Sequence, residues 1–439
     1  MNETERDMKY QAFCIQDEKE NCGRLLNGCT ELRFLLENPE INKVFSKHYL
    51  NELLSYATTF SPYYRQYSGF KSLGDFPIVT KVDLKEKWDD IKISEYADND
   101  TICTKYTSGS TGTPFKMILD KYKHARWIAG NKVFREIVGV RSHEKTLFIS
   151  DTVLDKNIPQ ERMDRDNVYY YQQPYHDDDA LFRLVNYLMD NGFVTMTAMA
   201  SVYDHLAEWI RNGEAVEWKG DFIALFSVSE TLKDSTRKVI SDYFRCPVYV
   251  LYANEENGVL AVEDGGGFGC RANNVDYFLE VLKMDIDEPV EDGEVGRLVI
   301  TDFFNKAFPI IRYENGDLVS VKHFDDGSMY ITEILGRKVD TLYTTDGRMV
   351  HYFDGISFME QLLDVRQFQL IQEDYHHFTW ILNTDNHHYE DVIVSTCKEL
   401  FGPDSEWKFK YVNEIPKLRS GKHRMTVCKI KEKIGSKGE

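Results

Sequence analysis

Long apolar runs are missing from this 439-residue chain. A membrane-spanning helix needs about 18 or more uninterrupted apolar residues, and no such stretch occurs. The opening segment, Met1-Asn-Glu-Thr-Glu-Arg-Asp, is charged and has no apolar signal core. Both absences lead to the expectation of a soluble, cytoplasmic protein with no membrane partner. Positive charge is also scarce: 53 basic against 72 acidic residues give a formal net charge of −19. Such a surface repels nucleic acid and anionic membranes, so no nucleic-acid partner is expected, and a polyanionic ligand must be held by locally placed donors. None of the eight cysteines forms a Cys-x-x-Cys pair. Cys14, Cys22 and Cys29 cluster, but no histidine follows at ligand spacing, so reduced and mostly buried thiols are expected instead of a zinc or redox site. Low-complexity linkers and internal repeats are absent as well.

What the chain does have is 42% hydrophobic and 13% aromatic residues, enough for large cores, in a length that suits two or more domains. The first 100 residues read as helical, with apolar residues at three- and four-residue steps in 31–36 and 49–54. The segment Phe76-Pro-Ile-Val-Thr-Lys introduces another helix, with Thr80 as its cap. The middle alternates helices and strands. Residues 177–192 form an amphipathic helix with Leu181, Leu184, Val185 and Leu188 on one face and Gly192 as its stop. Strands follow at 193–198, 222–226 and 247–252, with helices at 203–212 and 231–245 between them. This rhythm predicts an α/β domain whose ligands sit at the carboxyl ends of the strands. After residue 275 consecutive strands appear at 277–282, 296–301, 317–321 and 329–334. A smaller α+β unit follows, with strands near 367–372 and 377–383, a helix at 389–401 and a strand at 407–412. The domain boundary is placed at about 335–340, giving a large domain 1–335 and a small one 336–439.

The most telling stretch is residues 106–116, Tyr-Thr-Ser-Gly-Ser-Thr-Gly-Thr-Pro-Phe-Lys. Thr107, Ser108, Ser110, Thr111 and Thr113 supply hydroxyls, Gly109 and Gly112 let backbone amides turn toward an anion, and Lys116 adds a full charge. No Gly-Lys-Ser/Thr ends the run and no Gly-x-Gly-x-x-Gly is present, so it is neither a Walker loop nor a dinucleotide fingerprint. Alone it reads equally as a polar surface turn. Four further segments follow in order: Ser227-Val-Ser-Glu-Thr-Leu, Tyr252-Ala-Asn-Glu-Glu, Arg312-Tyr-Glu-Asn-Gly-Asp and Gly336-Arg-Lys-Val-Asp, with Lys-Leu-Arg-Ser-Gly-Lys-His at 417–423 near the end.

In this order and spacing the motifs resemble the adenylate-forming superfamily of acyl-CoA synthetases, adenylation domains and luciferases. Phe76-Pro-Ile-Val-Thr-Lys-Val-Asp-Leu, Ser229-Glu-Thr-Leu and Ala307-Phe-Pro-Ile-Ile-Arg resemble its phenylacetate-CoA ligase branch and relatives from capsular-polysaccharide clusters. The resemblance runs from about residue 60 to the end. It implies a large α/β domain plus a mobile α+β lid, and ATP-dependent activation of a small carboxylic acid, with Mg²⁺ as cofactor and CoA as co-substrate. It assigns residues 107–113 and Lys116 to the β- and γ-phosphates, and Tyr252 to a stack on adenine. Glu256 is assigned to Mg²⁺, with Glu255 as its neighbouring rival. Ser229 and Glu230 flank adenine and acid, Asp317 takes the ribose hydroxyls, and Arg337 reaches the ribose or phosphate region. Lys422 is the mobile catalytic lysine, and residues 345–348 would meet the acceptor thiol after the lid rotates about 336–340.

The chain also departs from the pattern. The hinge aspartate two residues after the motif arginine is Val339, with Asp340 next to it. Glu314 and Asn315 replace the usual arginine and threonine of the ribose motif, and Ala253 replaces a glycine. Glu263, Asp264 and Cys270 stand where relatives can hold zinc, without the full ligand set, so no zinc is expected. Three functions therefore compete: a CoA ligase for an aromatic or other small acid; an adenylating enzyme that hands its acyl group to a carrier-protein thiol, an amine or a hydroxyl; and a nucleotide binder without turnover. The acid stays unnamed, and a homodimer is compatible with the resemblance.

Overall fold

The computed structural model describes residues 3–96, 102–106, 115–149, 158–171, 173, 175, 177–337, 341–350, 358–359, 362, 365–416 and 425–430. The chain divides into two compact units, Met1–Asn315 with Ser320–Glu333, and Gly316–Val319 with Ile334–Glu439.

The first unit opens with helices α1 (Glu3–Asn21), α2 (Arg24–Glu37) and α3 (Pro39–Phe60). Cys22 and Gly23 turn the chain between α1 and α2 at φ of 55° and 69°. Buried Asp17 accepts the first amides of α2, from Leu25 at 3.1 Å and Leu26 at 3.0 Å, which otherwise lack partners at a helix start. Short helices α4 (Lys81–Glu86) and α5 (Trp88–Ile91) follow. Thr80 caps α4 as the sequence suggests: it accepts from the Asp83 amide, and the Asp83 carboxylate accepts back from the Thr80 amide.

A two-stranded antiparallel ladder, β1 (Ile102–Tyr106) and β2 (Lys116–Asp120), leads into α6 (Lys121–Glu136). The helical and strand elements then alternate: β3 (Thr146–Ile149), α7 (Gln160–Asp166), β4 (Val168–Tyr171), α8 (Asp178–Asn191), β5 (Thr195–Met199), α9 (Ala200–Arg211), β6 (Ala224–Val228), α10 (Asp234–Phe244) and β7 (Val248–Asn254). Strands β4, β3, β5, β6 and β7 pair in parallel in that order. Helix α8 begins at Asp177, whose carboxylate accepts from the Ala180 amide, and ends at Gly192 with φ of 60°. Its Leu181, Leu184, Val185 and Leu188 are buried against β3 and β5 in one core cluster with α9. The opposite sheet face packs on α2 and α6 through Ala125, Ala129 and Val133. The third helix starts at Asp234, three residues later than expected, because the chain spends 229–233 on a turn.

Helix α6 is the element that the sequence conceals. Its buried face carries charge. Lys123 is fully buried and its Nζ lies 2.6 Å from Asp302. Arg126 is 1% exposed and bridges Asp276 at 2.6 Å and Glu31 at 2.7 Å. Burial pushes the Asp302 carboxyl up, and the Lys123 ammonium pulls it back.

From β7 the sheet continues antiparallel through β8 (Gly258–Glu263) and β9 (Cys270–Ala272). The remaining strands are β10 (Tyr277–Leu282), β11 (Val295–Asp302), β12 (Tyr313–His323) and β13 (Met329–Arg337), completing an 11-stranded sheet in the order β10-β11-β12-β13-β9-β8-β7-β6-β5-β3-β4. Strands β12 and β13 run longer than their apolar cores suggest.

The second unit holds a small hairpin, β14 (Leu342–Tyr343) and β15 (Met349–Val350), and a four-stranded sheet. That sheet comprises β16 (Gln367–Gln372), β17 (His377–Asn383), β18 (Glu406–Tyr411) and β19 (Thr426–Cys428) in the order β18-β17-β16-β19. Helix α11 (Glu390–Phe401) lays Ile393, Cys397 and Phe401 on Leu370, Phe378 and Trp380. Among the described residues no helix is long and apolar enough to cross a membrane. All eight cysteines are free, and five of them are buried.

Candidate active site

The site is built around the end of β7. A register shift between Tyr252 and Ala253 bulges the strand where it meets β8, a device that re-aims side chains at a sheet's functional end. The following turn separates the two adjacent acids. Glu255 is exposed, whereas Glu256 is 6% exposed. The Tyr313 hydroxyl donates to Glu256 Oε1 at 3.3 Å, and Lys81 Nζ lies 3.0 Å from the same oxygen. A buried carboxylate fixed in this way by a phenol and a cation is a positioned acceptor, not a solvated loop acid.

Two segments far apart in sequence converge on it. The Val79 amide donates to the Arg312 carbonyl and the Glu314 amide to the Val79 carbonyl, both at 2.9 Å. Arg312 adopts φ of 50°; its guanidinium donates to the Phe76 carbonyl at 3.0 Å and pairs with Glu280 at 3.1 Å. The Phe76-to-Lys81 run and the Arg312-Tyr313 pair are thus locked together, and each sends one side chain to Glu256. Lys81 is a site residue that sequence reasoning missed. Its signal is present in the Thr-Lys pair that opens α4, in a segment that the sequence marks as a helix start and a family resemblance without assigning it a site residue.

Tyr252 is partly buried, and its hydroxyl accepts from Asn315 Nδ2 at 2.9 Å. Gly258 ends the turn at φ of 107°, and a β-carbon there would come within 2.6 Å of the Trp127 ring. Only glycine meets both the backbone angle and the close approach. At the end of β6, Ser229 is exposed at φ of 70°, and the Glu230 amide donates to the Val228 carbonyl at 2.9 Å. This is a strained three-residue turn of the kind kept at functional ends of strands. One oxygen of Glu230 accepts from the Ser201 amide at 2.9 Å, in the first turn of α9, where a carboxylate is favoured.

Lys116 is exposed at the start of β2, opposite Tyr106 in the β1–β2 ladder, and its carbonyl accepts from Trp88 Nε1 at 2.9 Å. Thr107, Ser108, Gly109, Ser110, Thr111, Gly112 and Thr113, which the resemblance assigns to the phosphates, lie outside the described residues. Val339, Asp340 and Lys422 do too. In the second unit, Asp317 is partly buried and Arg337 Nε lies 3.8 Å from it. There the Thr345 amide donates to the Phe401 carbonyl at 2.7 Å and the Thr345 hydroxyl to Asp404 at 2.7 Å, fixing the turn that holds Asp346, Gly347 and Arg348. Glu263 and Asp264 are engaged by Arg237 and Tyr330, and Cys270 is buried.

The last part of the chain, residues 342–429, matches the family model of the CapK C-terminal domain. Protein CapK of Staphylococcus aureus is 25% identical over 381 residues, covering 82% of this chain and 81% of CapK. Among solved structures, 2-hydroxyisobutyryl-CoA ligase in its postadenylation state superposes with a TM-score of 0.67, at 17% identity, over 87% of this chain and 89% of the ligase. The fold is that of the adenylate-forming acyl-CoA ligases. O-succinylbenzoate coenzyme A synthetase from Bacillus subtilis is similar at a TM-score of 0.52 and 14% identity, over 73% of this chain and 68% of the synthetase.

Within an adenylate-forming fold a magnesium ion bound through substrate phosphates asks for only one or two fixed carboxylates. Glu256 fits that demand: it is buried, held in place, and already faces a cation in Lys81.

Proposed function

We propose that this protein activates a small carboxylic acid with ATP. A carboxylate oxygen of the acid attacks the α-phosphorus, the bond to the bridging oxygen of the β-phosphate breaks, and pyrophosphate leaves with that electron pair. The observation that carries this reading is the convergence on Glu256. Three segments that the sequence marked independently meet there, on a fold that 2-hydroxyisobutyryl-CoA ligase shares and in which that enzyme was captured with R3-HIB-AMP. Negative charge builds on the α-phosphate and on the leaving group, so preplaced cations and donors lower the barrier most. Magnesium, held by Glu256, would supply charge neutralisation of the polyphosphate; the B. subtilis synthetase was solved with ATP and magnesium. Lys116 and the hydroxyls and amides of 107–113 would hold the β- and γ-phosphates. Lys81 would keep Glu256 aligned. Tyr252, with its hydroxyl tied to Asn315, presents its ring to adenine, and Ser229 and Glu230 border the adenine and the acid. Asp317 takes the ribose hydroxyls with Arg337 beside it, and Lys422 brings its ammonium to the carboxylate and the α-phosphate. The protein would work in the cytoplasm.

The second half-reaction is read as thioester formation with CoA. Two observations favour another acceptor, namely a carrier-protein thiol, an amine or a hydroxyl. The match over residues 342–429 is to the CapK C-terminal domain, and Val339 stands at the usual hinge aspartate. A panel of carboxylic acids scored by pyrophosphate release, with and without CoA, separates the two. A CoA ligase gives a thioester only when CoA is added. Release that never depends on CoA, with no thioester formed, rules that acceptor out and leaves the alternative.

A further inference from the structure

Behind the wall that Trp127 makes against Gly258, the first unit holds a partly open cavity of about 710 Å³ between α1, α6, α7 and strands β3 and β4. That size suits a small organic ligand. Apolar surface comes from Phe13, Trp127, Ile128 and Phe148. Helix α6 adds exposed Lys121 at its start and, deeper in, Lys132 and Arg135, three residues apart and therefore on one helix face. Arg135 is 8% exposed; it donates to Thr197 Oγ1 at 2.9 Å and lies over the rings of Phe226 and Phe148. Partly buried Lys132 donates to Ser142 Oγ at 3.1 Å and lies over Phe13. Neither has a carboxylate partner among the described residues. The lining acids are already engaged: Asp17 by the α2 amides, Glu144 by Arg141 and Asp166 by Arg165, while exposed Glu20 accepts from Gln16. Two like charges on one face of the cavity, with no carboxylate partner among the described residues, disfavour the empty fold, and burial pulls the Lys132 ammonium down. Burial pulls the Arg135 guanidinium down only to about 10, so it stays a cation at neutral pH. Burial, with Lys132 next, pulls lining His143 down to about 3; it is neutral, and its buried Nε2 has no hydrogen-bond partner among the described residues.

We propose that this cavity receives the acid to be activated, and that Arg135 and Lys132 bind a second anionic group, a carboxylate or a phosphate-like group, at the far end of an apolar body. The substrate class is therefore an amphipathic dianion. The proposal rests on the adenylation reading for which carboxylate reacts, because Trp127 borders the turn that carries Glu256. Arg135 lies eight residues further along α6, about 12 Å along its axis at 1.5 Å per residue. One anion would reach the Glu256 end while the other meets Arg135.

The test is calorimetric binding to the full-length protein with Mg²⁺ and α,β-methylene-ATP, which cannot release pyrophosphate. The probes are homologous α,ω-dicarboxylates and phosphonocarboxylates, each against its matched monocarboxylate. At least one dianion series should bind more tightly than its monoanion. Arg135→Gln should lower the dianion-to-monoanion affinity ratio by about 10–100-fold, the scale of one charge-assisted pair. Arg135→Lys should recover most of that ratio, and Lys132→Gln, at a less buried position, should reduce it without threatening the fold. Dianions that bind no better than monoanions, or a ratio unmoved in both Gln variants, overturn the proposal. Failure of adenylation is seen separately, as bound dianion with no pyrophosphate released from authentic ATP.

Discussion

Glu256→Gln is expected to lower acid-dependent pyrophosphate release by about 10²–10³-fold, the loss typical when one group that meets developing charge is removed. The substitution keeps the side-chain volume and an oxygen that can still accept from Tyr313. It removes the negative charge that would hold magnesium. Stability should change by about 1 kcal/mol or less, because Lys81 is partly solvent-exposed and loses only a screened partner. Glu255→Gln is the matched control. Glu255 is exposed, and no hydrogen bond or ion pair among the described residues holds it as Glu256 is held, so the rate of its variant should stay within a factor of two or so of the wild type, as expected of a surface change. Equal losses at the two positions would mean that the turn as a whole, and not the buried carboxylate, is what matters.

Lys123→Ala carries the largest expected effect on stability. Lys123 and Asp302 are both fully buried at 2.6 Å, and Lys123 also donates to Tyr277 at 3.1 Å. Removing one ion of such a pair leaves the other unneutralised away from water, and about 3–5 kcal/mol should be lost. The pair of substitutions Lys123→Met and Asp302→Leu removes both charges and should cost less than Lys123→Ala alone, since desolvation of two ions is relieved. Urea unfolding of the three proteins measures this. An additive or larger loss in the double variant would show that the pair is worth more than its desolvation.

That buried pair also explains what stayed hidden in the sequence. Helix α8 was legible because Leu181, Leu184, Val185 and Leu188 repeat on one face between an aspartate cap and a glycine stop. Helix α6 was not, because Lys123 and Arg126 occupy a buried face, and their partners Asp302, Asp276 and Glu31 come from distant segments, while Arg135 is buried on another face. A period of apolar residues cannot report a face built from ion pairs. The small sheet of the second unit is legible almost to the residue at β16, where Phe368 and Leu370 alternate with glutamines, and at β17, which is rich in aromatic and β-branched residues. In the candidate site, motif spacing picks Glu256 over Glu255, and the structure shows the first buried and the second exposed. Lys81 could be seen only once Val79 was found paired beside Tyr313, a contact between positions over 230 residues apart that no local pattern encodes. Arg135 and its cavity were likewise invisible, since a lone arginine in a helix ordinarily faces water.

The proposed reaction transfers AMP to the acid, with pyrophosphate as the leaving group. ATP–pyrophosphate exchange, run with labelled pyrophosphate, Mg²⁺ and a carboxylic-acid panel in the absence of CoA, tests it most directly. The expected result is label entering ATP only when a suitable acid is present. Exchange that ignores the acid, or turnover that yields ADP and phosphate in place of AMP and pyrophosphate, would contradict it.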